Sequence, residues 1–417
     1  MNRANVQAIA ADAVGSSSHS APCRVPTLLV LLLAICCAMS VANVYYAQPL
    51  LDEIAADFQI SRGAVGGVIT ATQFGCALAL LFIVPLGDLL NRKLLICAQL
   101  VFLAAALAVV GLAQSPRVLL AGMVGTGMLG TAMTQGLIAY AASLAHESER
   151  GRVVGAAQSG VVIGLLMARS LAGVVTDLAG WRVVYFLSGA LAAIMLIVLW
   201  RVLPSPRVQP VRMSYAQLLR SMLTLLAHER VLQVRGMIGL LMFASFSIFW
   251  SALVLPLSAP PFSMSHSQIG AFGLVGVVGA LAAARAGHLA DRGLGQWTTG
   301  IALILLLVSW VPIGFMSYSV ALLIVGIILL DMGGQAIHVV NQSMIFSTRP
   351  EAHGRLVGCY MLFYSVGSGL GAGASTWVYV KSGWGGVCWL GVSVSALALL
   401  VWAVTVKLMP VRRQSAS

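Results

Sequence analysis

Asp331, Gln335, His338 and Gln342 follow one another at spacings of 4, 3 and 4 in an otherwise apolar stretch. On a helix that spacing stacks all four on one face. A carboxylate, an imidazole and two amides so aligned can exchange protons and hydrogen-bond a polar group. They are ill suited to hydrocarbon. Arg169 lies in a second apolar stretch and shares a helical face with Gln158, eleven residues earlier. A charge deep in such a stretch costs at least about 2.5–3.5 kcal/mol, so it normally faces a cavity or a partner. Asp331 is therefore expected to be the proton-titrating group, with Arg169 pairing with it or with an anionic solute. The competing expectation is a static Asp331–Arg169 pair that only holds the chain together. His338 reads first as a hydrogen-bonded core histidine and second as a cavity group. Asn43, Gln48, Gln73 and Gln135 also stand in apolar runs, and they are expected to line the same cavity. Tyr45, Tyr46, Phe246, Trp250, Tyr360 and Tyr364 could stack on a planar solute or simply pack.

The elements that carry these residues follow from composition. Hydrophobic residues make up 59% of the 417 and charged residues only 9%, too few to solvate a globular surface of this size. Runs of roughly 20 apolar residues, the length that spans a bilayer as a helix, recur along the chain. Their continuous Leu, Ala, Val and Gly content predicts helices, not the alternating strands of a membrane barrel. Twelve spans are expected, at about 27–50, 63–87, 94–114, 118–143, 153–176, 182–203, 234–258, 267–290, 297–316, 319–346, 356–380 and 384–406. The first is read as a membrane helix and not a signal peptide, whose apolar core is usually about 7–15 residues. The expected divisions are a tail over 1–26, a six-helix half over 27–203, a linker over 204–233, a second six-helix half over 234–406 and a tail over 407–417. Within the linker, Met213 to about Leu225 is amphipathic, as expected of a helix on the membrane surface.

The two halves repeat each other. Asp88 and Asp291 are 203 residues apart, and the same offset relates Gly151-Arg152 to Gly354-Arg355, Gly164 to Gly367 and Gly180-Trp181 to Gly383-Trp384. Six spans per copy make the copies parallel, an arrangement in which solute sites lie near the midplane between halves. Of the 24 basic residues, 19 fall in segments on one side and 4 on the other. The positive-inside rule then places both termini in the cytoplasm. Glycines at 122, 125, 127 and 130, at 270, 273, 276 and 279, and at 367, 369, 371 and 373 read as seams of close helix packing. The seven cysteines show no metal-ligand spacing and read as small core residues. There is no Gly-x-Ser-x-Gly, His-Glu-x-x-His or P-loop motif. No enzyme activity, cofactor, metal or nucleic-acid partner is expected.

The loop Pro85-Leu86-Gly87-Asp88-Leu89-Leu90-Asn91-Arg92-Lys93 and its copy around Gly287-His288-Leu289-Ala290-Asp291-Arg292 resemble the signature loop between spans two and three of the major facilitator superfamily. Leu86, Asp88, Arg92 and Lys93 match the first copy, and Gly287, Leu289, Asp291 and Arg292 the second. Val84, Leu89 and Asn91 depart from the pattern in the first, as do Leu294, Gly295 and Gln296 in the second. The stretch Asn43-Val44-Tyr45-Tyr46-Ala47-Gln48-Pro49 and the run from Gln135 to Ala145 resemble the bacterial drug/proton antiporter branch. Members of that branch often carry an arginine within span four. Here span four is uncharged and Arg117 stands at its mouth, so coupling through that arginine is not expected.

The resemblance implies an all-α membrane fold of twelve helices in two six-helix repeats. It implies a monomeric secondary transporter of the bacterial inner membrane, most simply exporting small hydrophobic compounds in exchange for protons. Uptake or facilitated diffusion of a sugar or organic anion is the alternative, and a non-transporting sensor on the same fold is a third reading. Asp88, Arg92, Lys93, Asp291 and Arg292 are then gating residues. Asp88 is expected to bond the backbone at a neighbouring helix start, where the dipole favours an anion.

Overall fold

The structure, a computed structural model, describes residues 25–204, 214–346, 348–349 and 352–406. Most of the expected N-terminal tail, the proline-rich part of the linker and the C-terminal tail lie outside these. The described residues are helices joined by short turns. Those long and apolar enough to cross a membrane are α1 (Thr27–Asp57), α2 (Gly67–Asp88), α3 (Arg92–Gly111), α4 (Pro116–Leu144), α5 (Glu149–Ala179), α6 (Trp181–Val202), α7 (Arg230–Leu257), α8 (His266–Leu289), α9 (Arg292–Gly314), α10 (Val320–Phe346) and a long helix, Gly354–Thr405. The last breaks at Gly383, whose φ of +61° is not helical. It is therefore two spans, α11 (354–382) and α12 (384–405), which brings the total to twelve in two six-helix repeats.

Local sequence explains the breaks. Gly180, the repeat equivalent of Gly383, has φ +85° and separates α5 from α6. A side chain at either would meet nothing within 4 Å, so the positive φ, not crowding, is what calls for glycine. The tryptophan after each break ties it down. Trp181 Nε1 donates to Asp57 (2.9 Å) and Trp384 Nε1 to the Ile313 carbonyl (3.1 Å). Pro49 and Pro85 fall where α1 and α2 lose regular geometry, as expected of residues without a backbone donor. Asn91 caps α3, accepting from the Lys93 and Leu94 N–H groups, and Ser265 with Gln268 forms a capping box at α8.

Close packing runs through glycine. In the first repeat a side chain at Gly164 of α5 would strike the Ala38 backbone of α1. In the second, one at Gly367 of α11 would strike the Leu240 backbone of α7. These are the same seam 203 residues apart.

The repeats pack most closely at one end. There Ser170 of α5 donates to the Gly270 carbonyl of α8 (2.9 Å). Thr70 of α2 donates to the Gly369 carbonyl of α11 (2.8 Å), and the Gly66 N–H to Thr376 (3.2 Å). At the other end they diverge, and the linker helix Tyr215–His228 lies across them. Its Tyr215 hydroxyl donates to the Phe82 carbonyl of α2 (2.8 Å). Its Ser221 accepts from Arg355 of α11 (2.6 Å). Its buried face, Leu218, Met222 and Leu225, packs partly on Leu356 and Cys359 of α11.

Candidate functional site

Between the diverging repeats lies a cavity of about 1440 Å³, open at the end that carries the signature loops. Its walls are mostly apolar, with Val, Ile, Leu, Ala, Met and Phe prominent. Gln335, His338 and Gln342 of α10, Gln158 of α5 and Gln135 of α4 project among them. The 4-3-4 face thus runs from the cavity into the protein, because Asp331, its first member, is 3% exposed and does not line the cavity. The eleven residues from Asp331 to Gln342 span about 16 Å at 1.5 Å each.

The inner end of the cavity is roofed by aromatic rings from both repeats. The hydroxyls of Tyr45 (α1) and Tyr364 (α11) share a hydrogen bond of 2.5 Å. Phe243 of α7 stands edge-on to Tyr364, with centroids 4.4 Å apart, and edge-on to His338 at 5.2 Å. His338 stacks on Tyr360 at 5.6 Å, and its Nδ1 lies 3.2 Å from the Tyr360 hydroxyl. His338 therefore combines both readings of it, lining the cavity on one side and anchored in the core on the other.

Behind this roof sit the two buried charges. Arg169 Nε donates to Gln48 Oε1 (2.7 Å). Its guanidinium lies over Trp250 at 4.0 Å and near the Tyr45 ring at 5.4 Å. A desolvated contact of the first kind stabilises a cation by about 2 kcal/mol. Arg169 Nη2 and Asp331 Oδ1 are both buried without a hydrogen-bond partner among the described residues. No ion pair within 4.0 Å joins them. The static pair considered from sequence is therefore not formed in this conformation, and α8 passes beside both residues. A side chain at Gly273 would sit 3.3 Å from Arg169 Cβ, and one at Gly276 would sit 2.7 Å from Asp331 Oδ2.

Other expected site residues do different work. Asn43 does not line the cavity. Its Oδ1 accepts from Ser188 of α6 (2.7 Å) and its amide donates to the Met39 carbonyl (2.8 Å). Gln48 holds Arg169, and Gln73 reaches Tyr364 at 3.5 Å. Asp88 and Arg92 flank the cavity mouth. Asp88 takes Arg92 at 3.3 Å instead of capping a neighbouring helix, since the repeats are apart there and Asn91 caps α3. Arg92 also donates to the carbonyls of Gly87 and Ala139 (3.0 Å each), and Lys93 donates to the Leu203 carbonyl (2.7 Å). Arg292 is exposed, and the Asp291 side chain lies outside the described residues.

Arg235 is one of the 19 basic residues that the sequence marks only for topology. It is 1% exposed and donates to Thr299 (2.9 Å) and Asn341 (3.3 Å). Its place at the start of a span made it look like an end charge. The tyrosine roof left no periodic signal, since its members come from α1 and α11.

A family model described as "Major Facilitator Superfamily" matches residues 30–243 and 235–416. An uncharacterized transporter of Escherichia coli, YgaY, is 40% identical over 374 residues, 90% of this chain and 94% of that protein. SCO4007 of Streptomyces coelicolor, described as a probable transporter, is 30% identical over 380 residues, 91% of this chain and 87% of its own length. Among solved structures, a bacterial homologue of the human lysosomal transporter Spinster, captured inward-facing and occupied, superposes with a TM-score of 0.76. It is 14% identical and the match covers 94% of this chain and 99% of that one.

Proposed function

The chain belongs to the major facilitator superfamily of membrane transporters, and from that premise we propose that it exports small, largely hydrophobic organic compounds in exchange for protons. The observation that carries the reading is the central cavity. It reaches the end that carries Asp88 and Arg92, has mostly apolar walls with a line of amides, and stops beneath a buried carboxylate that lacks a hydrogen-bond partner. The open end carries the basic-rich loops, including Arg92, Arg150 and Arg355. By the positive-inside rule that end is cytoplasmic, in a bacterial inner membrane with both termini inside. The conformation is then inward-open.

In this scheme a solute enters between α4, α5 and α10 and is held by apolar contact, with Gln335, His338 and Gln342 orienting any polar group. Asp331 is shielded from the cavity by the Tyr45–Tyr364 roof. When the repeats rock to the opposite state, the contacts between α5 and α8 and between α2 and α11 part. Asp331 then meets water from the other side and exchanges its proton there. Asp88, Arg92, Lys93, Asp291 and Arg292 close the cytoplasmic mouth in that state. The unpartnered Arg169 Nη2 favours a second reading, in which the solute is an organic anion and Arg169 takes its charged group.

Purified protein in liposomes with a trapped pH-sensitive dye tests both. Candidate compounds are added under an imposed proton gradient, to wild type and to Asp331→Asn. Antiport predicts solute-dependent proton movement that disappears in the variant. Solute flux without proton flux would sink the coupling. Flux that survives in Asp331→Asn but fails in Arg169→Gln, for anions only, would establish the second reading.

A further inference from the structure

At the end where the repeats meet, the first repeat concentrates its acids. Asp52, Glu53 and Asp57 close α1, and Asp177 stands near the end of α5. Asp57 is occupied by Arg182 and Trp181. The other three gather around His266, the first residue of α8 in the second repeat. His266 Nε2 lies 3.1 Å from Asp52 Oδ1 and Nδ1 lies 3.1 Å from Asp177 Oδ1. Asp177 also accepts from the backbone N–H groups of His266 (3.1 Å) and Ser267 (2.8 Å) and from the Ser267 hydroxyl. Glu53 Oε2 is buried nearby without a hydrogen-bond partner among the described residues.

This geometry has a proton count. An ionised carboxylate only accepts hydrogen bonds, and a neutral imidazole has a single N–H to give. With both ring nitrogens against carboxylate oxygens, one of the two contacts must carry a second proton, on the ring or on an acid. Once the repeats part, His266 leaves the acids of the first repeat and the requirement vanishes. We propose that His266, Asp52 and Asp177 form a proton site that exists only while this face is closed, so that closure takes up a proton and its release unlocks the face. Glu53 adds to the negative field around the ring. The site is distinct from Asp331 and does not depend on which solute is carried.

The sign follows from linkage. The closed state binds the extra proton, so protons favour closure. Apart, the imidazole titrates near its ordinary value of about 6.5. Below that both states are protonated and closure is insensitive to pH. Above it the ratio of closed to open falls by up to about tenfold per pH unit, until the closed cluster releases its proton too.

The test measures distance across this face in the full-length protein in lipid nanodiscs. Spin labels are placed at positions 56 and 318, exposed sites in the first and second repeats, with the native cysteines replaced. In wild type the short-distance population should dominate near pH 6 and shrink several-fold by pH 9. His266→Gln should favour the long distance with a flat pH profile. His266→Lys, with a charge that does not titrate in this range, should favour the short distance with a flat profile. Asp52→Asn, whose amide can donate to a neutral ring, should flatten the slope independently. Asp331→Asn should keep the wild-type slope. A flat wild-type profile, or an unchanged slope in both His266 variants, would overturn the proposal. Loss of the slope in Asp331→Asn alone would move the proton to the central carboxylate.

Discussion

Two hydroxyls join the repeats above the cavity. Tyr45 and Tyr364 close the roof with one hydrogen bond between the repeats, worth about 1 kcal/mol net. Tyr45→Phe keeps the ring beside Arg169 and removes that bond, so the roof should open about fivefold more often. The expected outcome is a proton leak without solute, read by the trapped dye. Tyr364→Phe should do the same, and the double variant should leak no more than either single one. A double variant with multiplied leak would mean the hydroxyls act separately. The residue scale is also where sequence reading was both strongest and weakest. The 4-3-4 face on α10 was legible because polar residues at helical spacing in an apolar run have few explanations. Asn43 carried the same polar-in-apolar signal, yet it serves Ser188, 145 residues away. Periodicity reports which face of a helix is polar, and it does not report what the neighbouring helix offers to that face.

Helix seams divide into two kinds that composition alone does not separate. Gly164 and Gly367 lie within a repeat, where the packing persists through any rocking. Gly270 lies between repeats, where a side chain would press into the Arg169 carbonyl of α5 in this conformation. Gly164→Leu should therefore lower thermal stability, since overpacking typically costs about 1–3 kcal/mol. Gly270→Ala should leave melting nearly unchanged and shift the protein towards the state in which α5 and α8 are apart, slowing transport. The check is a melting curve beside a transport rate for each variant. Equal loss of stability in both would show that the α5–α8 seam never opens. The number and order of the spans were legible in the sequence, down to the breaks at Gly180 and Gly383, because apolar length and the 203-residue repeat report on each element separately. The tighter contact between repeats at one end was not legible. It is a relation between two bodies of nearly the same sequence plan, and a repeat describes both ends alike.

At the scale of the molecule, both ends are guarded by charges of opposite character. Arg92, Arg150 and Arg355 stand around the open mouth, and Asp52, Glu53 and Asp177 crowd the closed end. The linker helix adds a mechanical term to this electrical one. It is fastened to α2 through Tyr215 and to α11 through Arg355, so it spans the mouth instead of trailing from it. If the repeats pivot about their far contact, every degree of opening must be paid out between those two fastenings. Tyr215→Phe frees one of them and should widen the mouth, measurable as a longer label distance between the α2 and α11 ends with the far face unchanged. On that reading the helix acts as a stop on the hinge. The widest cargo admitted is then fixed by the length of a strap at the threshold, before any side chain in the cavity has been consulted.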